Sequence, residues 1–181
     1  MTDKALETVG LKKPTPPEAP ELPDVPDSAL PDRKVNWQVF ASTSLNASPA
    51  GTGLALVVRL YKLRTPDAFL QASYDTFGDP TKEKAALNDD LIAVRELTLV
   101  PGQHYEALEK VAREARFLGI VALYRAPASG RWRYAFNTAS AARSGLHIGA
   151  LACALTVQVG EPLAVPASLA KSAALPCEEA P

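Results

Sequence analysis

The sequence predicts a mainly β chain, a two-sheet β-sandwich with a small helical insert after the second strand, set behind a proline-rich N-terminal segment. Three observations predict it. Short runs of β-branched and aliphatic residues recur between segments rich in Gly, Pro, Asn and Ser, the punctuation of an all-β domain. The hydrophobic period changes to helical spacing after the second such run, behind Thr-Pro and Asp-Pro cap signals. Residues 1–34 hold seven of the sixteen prolines, from Pro14 to Pro31, with acids and small residues between them.

Such an N-terminal segment buries too little apolar surface to offset its ordering entropy. It reads as an extended, partly polyproline-II tether over residues 1–34. The body starts near Val35. Val35, Trp37, Val39 and Ala41 alternate with Asn36, Gln38, Phe40 and Ser42, as a strand with one buried face requires. Residues 46–53, NASPAGTG, are turn-formers throughout and make a loop. LALVVRLYKL, residues 54–63, is a strand with a well-buried middle. Thr65 and Pro66 give an N-cap with proline at the first helical position, and Leu70, Tyr74 and Phe77 follow at i, i+4 and i+7 up to Gly78. Asp79-Pro80 repeats the cap and opens a second short helix to about Leu87, so the insert spans 65–88.

Strand character returns in LIAVRELTL, 91–99, and Pro101-Gly102 turns the chain. Residues 104–116 fit two periods. Leu108, Val111, Ala112 and Ala115 have helical spacing with a Glu106–Lys110 pair, whereas Tyr105, Ala107, Glu109 and Val111 alternate; propensity favours the helix. FLGIVALY, 117–124, has the length of a central strand, APASG is a turn, and RWRYAFN, 131–137, is a strand. The Ala/Ser segment 138–145 reads as a loop, 146–159 as one long final strand, and 161–181 as an irregular C-terminal tail. The sandwich domain thus covers 35–160, with Trp37, Val57, Ile120, Trp132 and Leu155 as core candidates.

The formal charge of −1 gives no global attraction to nucleic acid or anionic lipid. The body, residues 35–160, is mildly basic, with thirteen basic against ten acidic groups, between two acidic tails. Cys153 and Cys177 come with no CxxC or His/Cys cluster, which argues against a zinc site. In a reducing compartment they would be free thiols; in an oxidising one they could pair. No apolar run reaches the roughly 18 residues of a membrane-spanning helix. MTDKALETVG carries charge but no apolar signal core, which fits either a cytoplasmic protein or a chain beginning after its signal.

The search for chemistry is mostly negative. His104 and His147 lack evident nucleophile or carboxylate partners, and Asp89-Asp90 reads as a solvated turn rather than a metal site. There is no GxSxG elbow, P-loop or dinucleotide fingerprint. Arg131 and Arg133 flank Trp132; this resembles a nucleic-acid platform but fits better a core tryptophan with solvent-facing arginines. No catalytic residue, cofactor or metal is assigned. A sandwich of this kind works by presenting loops, here 46–53, the insert and 138–145.

The order of motifs resembles the TssJ (VasD/SciN-like) lipoproteins of the bacterial type VI secretion system. WQVFASTSLNAS, a Gly-rich loop and LALVVRLYKLRTPDAF match the family's opening, with Leu45-Asn46, Val58 to Leu63 and Phe69 in the corresponding places. RELTLVPGQ (95–103) and RFLGIVALYRAPASGRWR (116–133) match two later segments, with Ala122, Tyr124, Arg125 and Trp132-Arg133 in register. The order and spacing of these motifs carry the resemblance.

The resemblance implies a transthyretin-like sandwich with a helical lobe, and makes 104–111 a strand. It implies a non-catalytic lipoprotein at the periplasmic face of the outer membrane, acylated on an N-terminal cysteine. No such cysteine is present, and Met1 stands in its place in a chain read as starting after the signal. The implied partner is the periplasmic domain of TssM, with TssL bound indirectly and no nucleic acid. The implied contact region is the loop between the first two strands: Ser44, Leu45, Asn46, Ala47, Ser48, Pro49, Ala50, Gly51, Thr52 and Gly53. A periplasmic setting favours a Cys153–Cys177 bridge. The competing expectation is a periplasmic sandwich that binds a small molecule or glycan through exposed aromatics.

Overall fold

Residues 23–173 and 176–177 are described in a computed structural model of the chain; of the tether expected over residues 1–34, residues 1–22 lie outside them, as do 174–175 and 178–181, while Asp27–Ala29 forms a 3-10 turn and residues 33–34 already belong to the first strand. Strand β1 is Arg33–Ala41, and its alternation turns Val35, Trp37 and Val39 inward while Lys34, Asn36 and Phe40 face water. It is followed by β2 (Leu56–Leu63), β3 (Leu91–Leu99), β4 (His104–Val111), β5 (Phe117–Ala122), β6 (Arg133–Asn137), β7 (Leu146–Ala150) and β8 (Leu155–Val159). These form two four-stranded sheets, ordered β4-β1-β7-β8 and β3-β2-β5-β6. β1 runs antiparallel to β4 and parallel to β7, with Trp37 opposite Ala107 on one side and Leu146 on the other. The remaining pairings are antiparallel. The sheets pack face to face around Trp37, Val58, Leu60, Ile120, Phe136 and Leu155.

The mainly β, two-sheet architecture is the one the sequence predicts, with β4 a strand as the resemblance implied. Alternation overrides helix propensity there because Tyr105, Ala107, Glu109 and Val111 face the core. Glu109, 6% exposed, is held by Lys62 Nζ at 2.6 Å and Arg95 Nη1 at 2.7 Å, so one carboxylate ties β4 to β2 and β3 across the open edge of the sandwich.

Several expectations need correction. Residues 146–159 are two strands, because Leu151–Ala154 reverses the chain and Leu151 N–H donates to Ala154 O at 2.9 Å. That apolar turn lacks Gly, Pro or Asn, so nothing in it reads as punctuation. Segment 138–145 holds a helix, α3 (Thr138–Ser144), capped by Asn137 Oδ1, which accepts from Ser140 N at 3.1 Å. The tail is not irregular throughout: Pro162 bridges to Phe136, and a helix at Ala167–Lys171 buries Ala170 fully. Val57 and Trp132 are only partly buried.

The insert covers the outer face of the β2–β5 sheet. Helix α1 is Asp67–Gln71, without a Thr65 cap, and Tyr74–Thr76 is a separate 3-10 turn. The expected Leu70, Tyr74, Phe77 stripe therefore never forms on one helix; Ala72 and Ser73 are extended, and the buried pair is Phe69 and Phe77. Helix α2, Pro80–Leu87, has its expected cap, Asp79 Oδ1 accepting from Thr81 N and Lys82 N. Tyr61, Phe69 and Phe77 form an aromatic triad with centroids 5.4–5.5 Å apart. The Phe69 ring lies where a side chain at residue 119 would be: a Cβ on Gly119 would come within 2.5 Å of it.

The polar latch of the lobe is Glu83, 2% exposed. Its Oε1 accepts from Tyr61 Oη at 2.6 Å and Gly78 N at 2.7 Å, and its Oε2 from Arg59 Nη2 at 3.0 Å. Burial, then the Glu83 carboxylate, push the Tyr61 phenol far up from its usual range. Replacing Glu83 with Ala takes the acceptor from the buried Tyr61 hydroxyl and the Gly78 amide while Arg59 keeps Glu96, and a loss of about 1–3 kcal/mol in urea unfolding is expected. A Cys153–Cys177 disulfide, Cα atoms 5.7 Å apart, ties the β7–β8 turn to the tail across 24 residues. Cys177→Ser is expected to lower stability by about 3 kcal/mol, and adding reductant should bring the wild type to the same denaturation midpoint.

Candidate functional site

The loop between β1 and β2 has a fixed base and an exposed tip. Ser42 N–H donates to Ala150 O at 2.8 Å, and Ser42 O accepts from Gly102 N at 3.1 Å, so the loop leaves β1 already tied to both neighbouring strands. Leu45 is fully buried in the main core. Asn46 is the hub. Its Nδ2 donates to Ala55 O and its Oδ1 accepts from Arg125 N, both at 2.8 Å. Its backbone takes φ +47°, a left-handed conformation that asparagine tolerates better than most residues. Asn46 N and Ala47 N donate to Leu151 O and Ala152 O, which supplies the partners missing from the β7–β8 turn. Gly53 closes the base, since a Cβ there would lie 2.4 Å from Thr43 O.

Above this base, Ser48 N donates to Thr52 O, and Thr52 N donates back to Ser48 Oγ at 3.1 Å, which folds Ser48–Thr52 into a closed turn. Pro49, Ala50, Gly51 and Thr52 are exposed at its tip. Leu56 pairs with Leu99, which brings the β3–β4 turn alongside. Leu54, Val100 and Pro101 are exposed there, so the tip continues into an apolar rim. One guanidinium, Arg125, borders it and donates to Ala47 O at 3.3 Å. The surface offers shape, apolar area and a single fixed charge.

The structure therefore divides the ten loop residues named from sequence. Leu45 and Asn46 are buried scaffold, Ser44, Ala47, Ser48 and Gly53 are intermediate, and Pro49 to Thr52 are available to a partner. Leu54, Val100, Pro101 and Arg125 are not among those ten, although all four lie inside the motifs that carry the resemblance. The other candidates disperse. His104 stacks on the exposed Phe40 ring at 4.4 Å and His147 meets the same ring edge-on, with no serine or carboxylate bonded to either among the described residues. No grouping of His, Cys, Asp and Glu suited to a metal occurs among the described residues. Trp37 is in the core and Trp132 packs against Tyr74 and Phe77, so neither is an exposed aromatic platform. The flanking arginines are structural rather than solvent-facing. Arg131, 4% exposed, donates to Leu155 O and Ser172 O, and Arg133 binds the carbonyls of Phe69, Leu70 and Ala72 at the end of α1.

Residues 33–160 match the family model T6SS-SciN, described as type VI secretion lipoprotein, VasD, EvfM, TssJ. The chain belongs to the type VI secretion lipoprotein family. Among solved structures, the chain is similar to the T6SS lipoprotein TssJ1 from Pseudomonas aeruginosa, at 28% identity and TM-score 0.63, over 75% of this chain and 100% of that one. It is also similar to a chain of a structure described as the type VI membrane complex, at 25% identity and TM-score 0.61, over 69% and 97% of the two chains. A further likeness, at 24% identity and TM-score 0.58 over 69% and 97%, is to a chain from a structure described as the TssM C-terminal domain from EAEC; it bears on the fold. No curated protein matches the chain. No described helix is long and apolar enough to cross a membrane.

The hub role of Asn46 is testable without any partner. Asn46→Ala removes both side-chain hydrogen bonds and the residue type suited to its φ, and a loss of about 1–3 kcal/mol is expected. The Arg125 amide should lose hydrogen-exchange protection in the same variant.

Proposed function

We propose that the chain is a non-catalytic, periplasm-facing assembly component of the type VI secretion membrane complex. In this reading an N-terminal lipid anchors it to the outer membrane, the segment before Arg33 serves as tether, and the loop pole binds the periplasmic domain of TssM, with TssL engaged indirectly. The observation that carries the reading is the exposed apolar turn Pro49–Thr52, continued by Leu54, Val100 and Pro101, on a base held by backbone hydrogen bonds. Membership in a secretion lipoprotein family and likeness to a chain of the type VI membrane complex support the assembly role. A pre-ordered loop loses little conformational entropy on binding, which compensates for its lack of large side chains. The dispersed histidines and the packed tryptophans lend no support to the competing reading of a small-molecule or glycan-binding sandwich.

The test is a binding titration of the full chain against the periplasmic domain of the TssM protein from the same organism. Saturable binding is expected. The triple variant P49D/A50D/V100D puts carboxylates on exposed positions, so its stability should change by less than about 0.5 kcal/mol per site. Its affinity is expected to fall at least ~10-fold. A correctly folded variant that binds like the wild type rules out the loop pole as the contact.

A further inference from the structure

The opposite pole of the sandwich is chemically different. β1 begins there at Arg33, β2 ends there before Arg64, β4 ends before Arg113, and β5 starts after Arg116. A cleft of about 390 Å³ opens between these strand ends, lined by Arg33, Arg64, Arg116, Thr65 and Asn137, and no carboxylate lines it. Asp27, Asp32 and Glu114 line two adjoining grooves, one of which shares Arg64, Thr65 and Arg116 with the cleft. Glu114 Oε2 holds Arg64 Nη2 at 3.1 Å, Arg64 Nη1 donates to Asp89 O, and Asp27 Oδ2 lies 3.5 Å from Arg116 Nη2. Arg33 and Arg113 bond only to backbone carbonyls among the described residues, those of Arg113 and Pro31. Burial first, then Arg113, hold the Arg33 guanidinium below its usual range, with Asp27 working in the opposite direction.

Three guanidiniums lining one cleft, one of them with no carboxylate partner among the described residues, offer the forked donors that bind a phosphate. The source of that phosphate follows from where the chain arrives. The segment that would lead from a lipid anchor enters the fold at Arg33, so the arginine pole is the one nearest the covalent lipid of a lipoprotein. A headgroup contact too weak to hold a free protein becomes effective once an anchor confines the body near the surface, and one lipid anchor gains most from a basic patch beside it.

We propose that the Arg33–Arg64–Arg116 cleft binds the phosphate of an anionic phospholipid headgroup in the leaflet that holds the anchor, so that the loop pole points away from the membrane. This rests on the membrane-anchored reading above and is independent of which protein the loop contacts. The experiment is co-sedimentation of the full chain, at low ionic strength, with phosphatidylcholine vesicles with and without phosphatidylglycerol. Binding to the mixed vesicles only is expected. R33Q/R116Q should lower the apparent affinity roughly 10-fold or more, while R143Q, outside the cleft, should leave it unchanged. If the double variant does not fold, R33Q alone carries the test, since its one described hydrogen bond is to a backbone carbonyl.

Equal sedimentation with both vesicle types, or sedimentation that the arginine variants leave unchanged, overturns the proposal. So does displacement by inorganic phosphate as effective as by soluble glycerophosphoglycerol, which would mark a free-phosphate site. The P49D/A50D/V100D variant should still bind the mixed vesicles. Vesicle binding with no affinity for the TssM domain rejects the loop contact alone, and the reverse pattern rejects the cleft alone.

Discussion

The fold turns on one constraint: the β2–β5 strand pair buries both of its faces. Leu56, Val58 and Leu60 point into the sandwich, and Tyr61, Leu63 and Val121 point away from it into a second cluster. Without a cover, that outer face would be a contiguous exposed apolar patch. The insert between β2 and β3 supplies the cover. Its aromatic bed is non-directional, so the lobe needs a polar latch to fix where it sits. Glu83 provides one, because a buried carboxylate is tolerated only where its partners are in place, and Arg59, Tyr61 and Gly78 meet it in a single arrangement. Arg133 adds a second fastening by holding the last carbonyls of α1, its guanidinium 4.5 Å above the Trp132 ring.

The same frame sets the loop pole. β1 and β7 run parallel, so the end of β1 and the β7–β8 turn arrive side by side, and the loop and that turn exchange the hydrogen bonds that neither can make internally. Asn46 then reaches the segment after β5, and the disulfide at Cys153 fastens the turn to the C-terminal tail. A loop of small residues, flexible by composition, becomes a fixed protrusion because everything beneath its tip is already paired. In the proposed contact, rigidity and a neighbouring apolar rim would take the place of an aromatic anchor.

Much of this was legible in the sequence, and the misreadings have common physical causes. β1 and β3 follow from period and punctuation alone. The Asp79 cap was readable because its acceptor and donors are adjacent in the chain. The β7–β8 turn was not, because apart from its own Leu151–Ala154 bond its carbonyls are met by distant residues, Asn46, Ala47, Tyr124 and Ala128, and it needs no turn-forming residue of its own. α3 hides in an Ala/Ser composition that suggests a loop, and only its bracketing residues, the Asn137 cap and Gly145 stop, mark it as a helix. Arg131, Arg133 and Glu83 were read by residue type as solvent-facing or unremarked, yet each is held inside by partners distant in the sequence. Loop 44–53 was placed correctly between the first two strands, but its division into buried base and exposed tip depends on contacts from β5 and β7 that no local pattern encodes.

The two poles give the body a direction. Strands of eight or nine residues separate the Arg33 end from the Pro49 end by roughly 25–30 Å at ~3.3 Å per residue. Both ends are built on the same hydrogen-bonded sheets, with Glu109 closing one edge of the sandwich and α3 and the tail helix packed at other parts of it. A body of this kind transmits position rather than conformational change. Whatever fixes its arginine pole also fixes where the apolar tip points. Under the proposed assembly role that property matters more than affinity at the tip alone: a tethered, oriented contact gains effective concentration without any added interface.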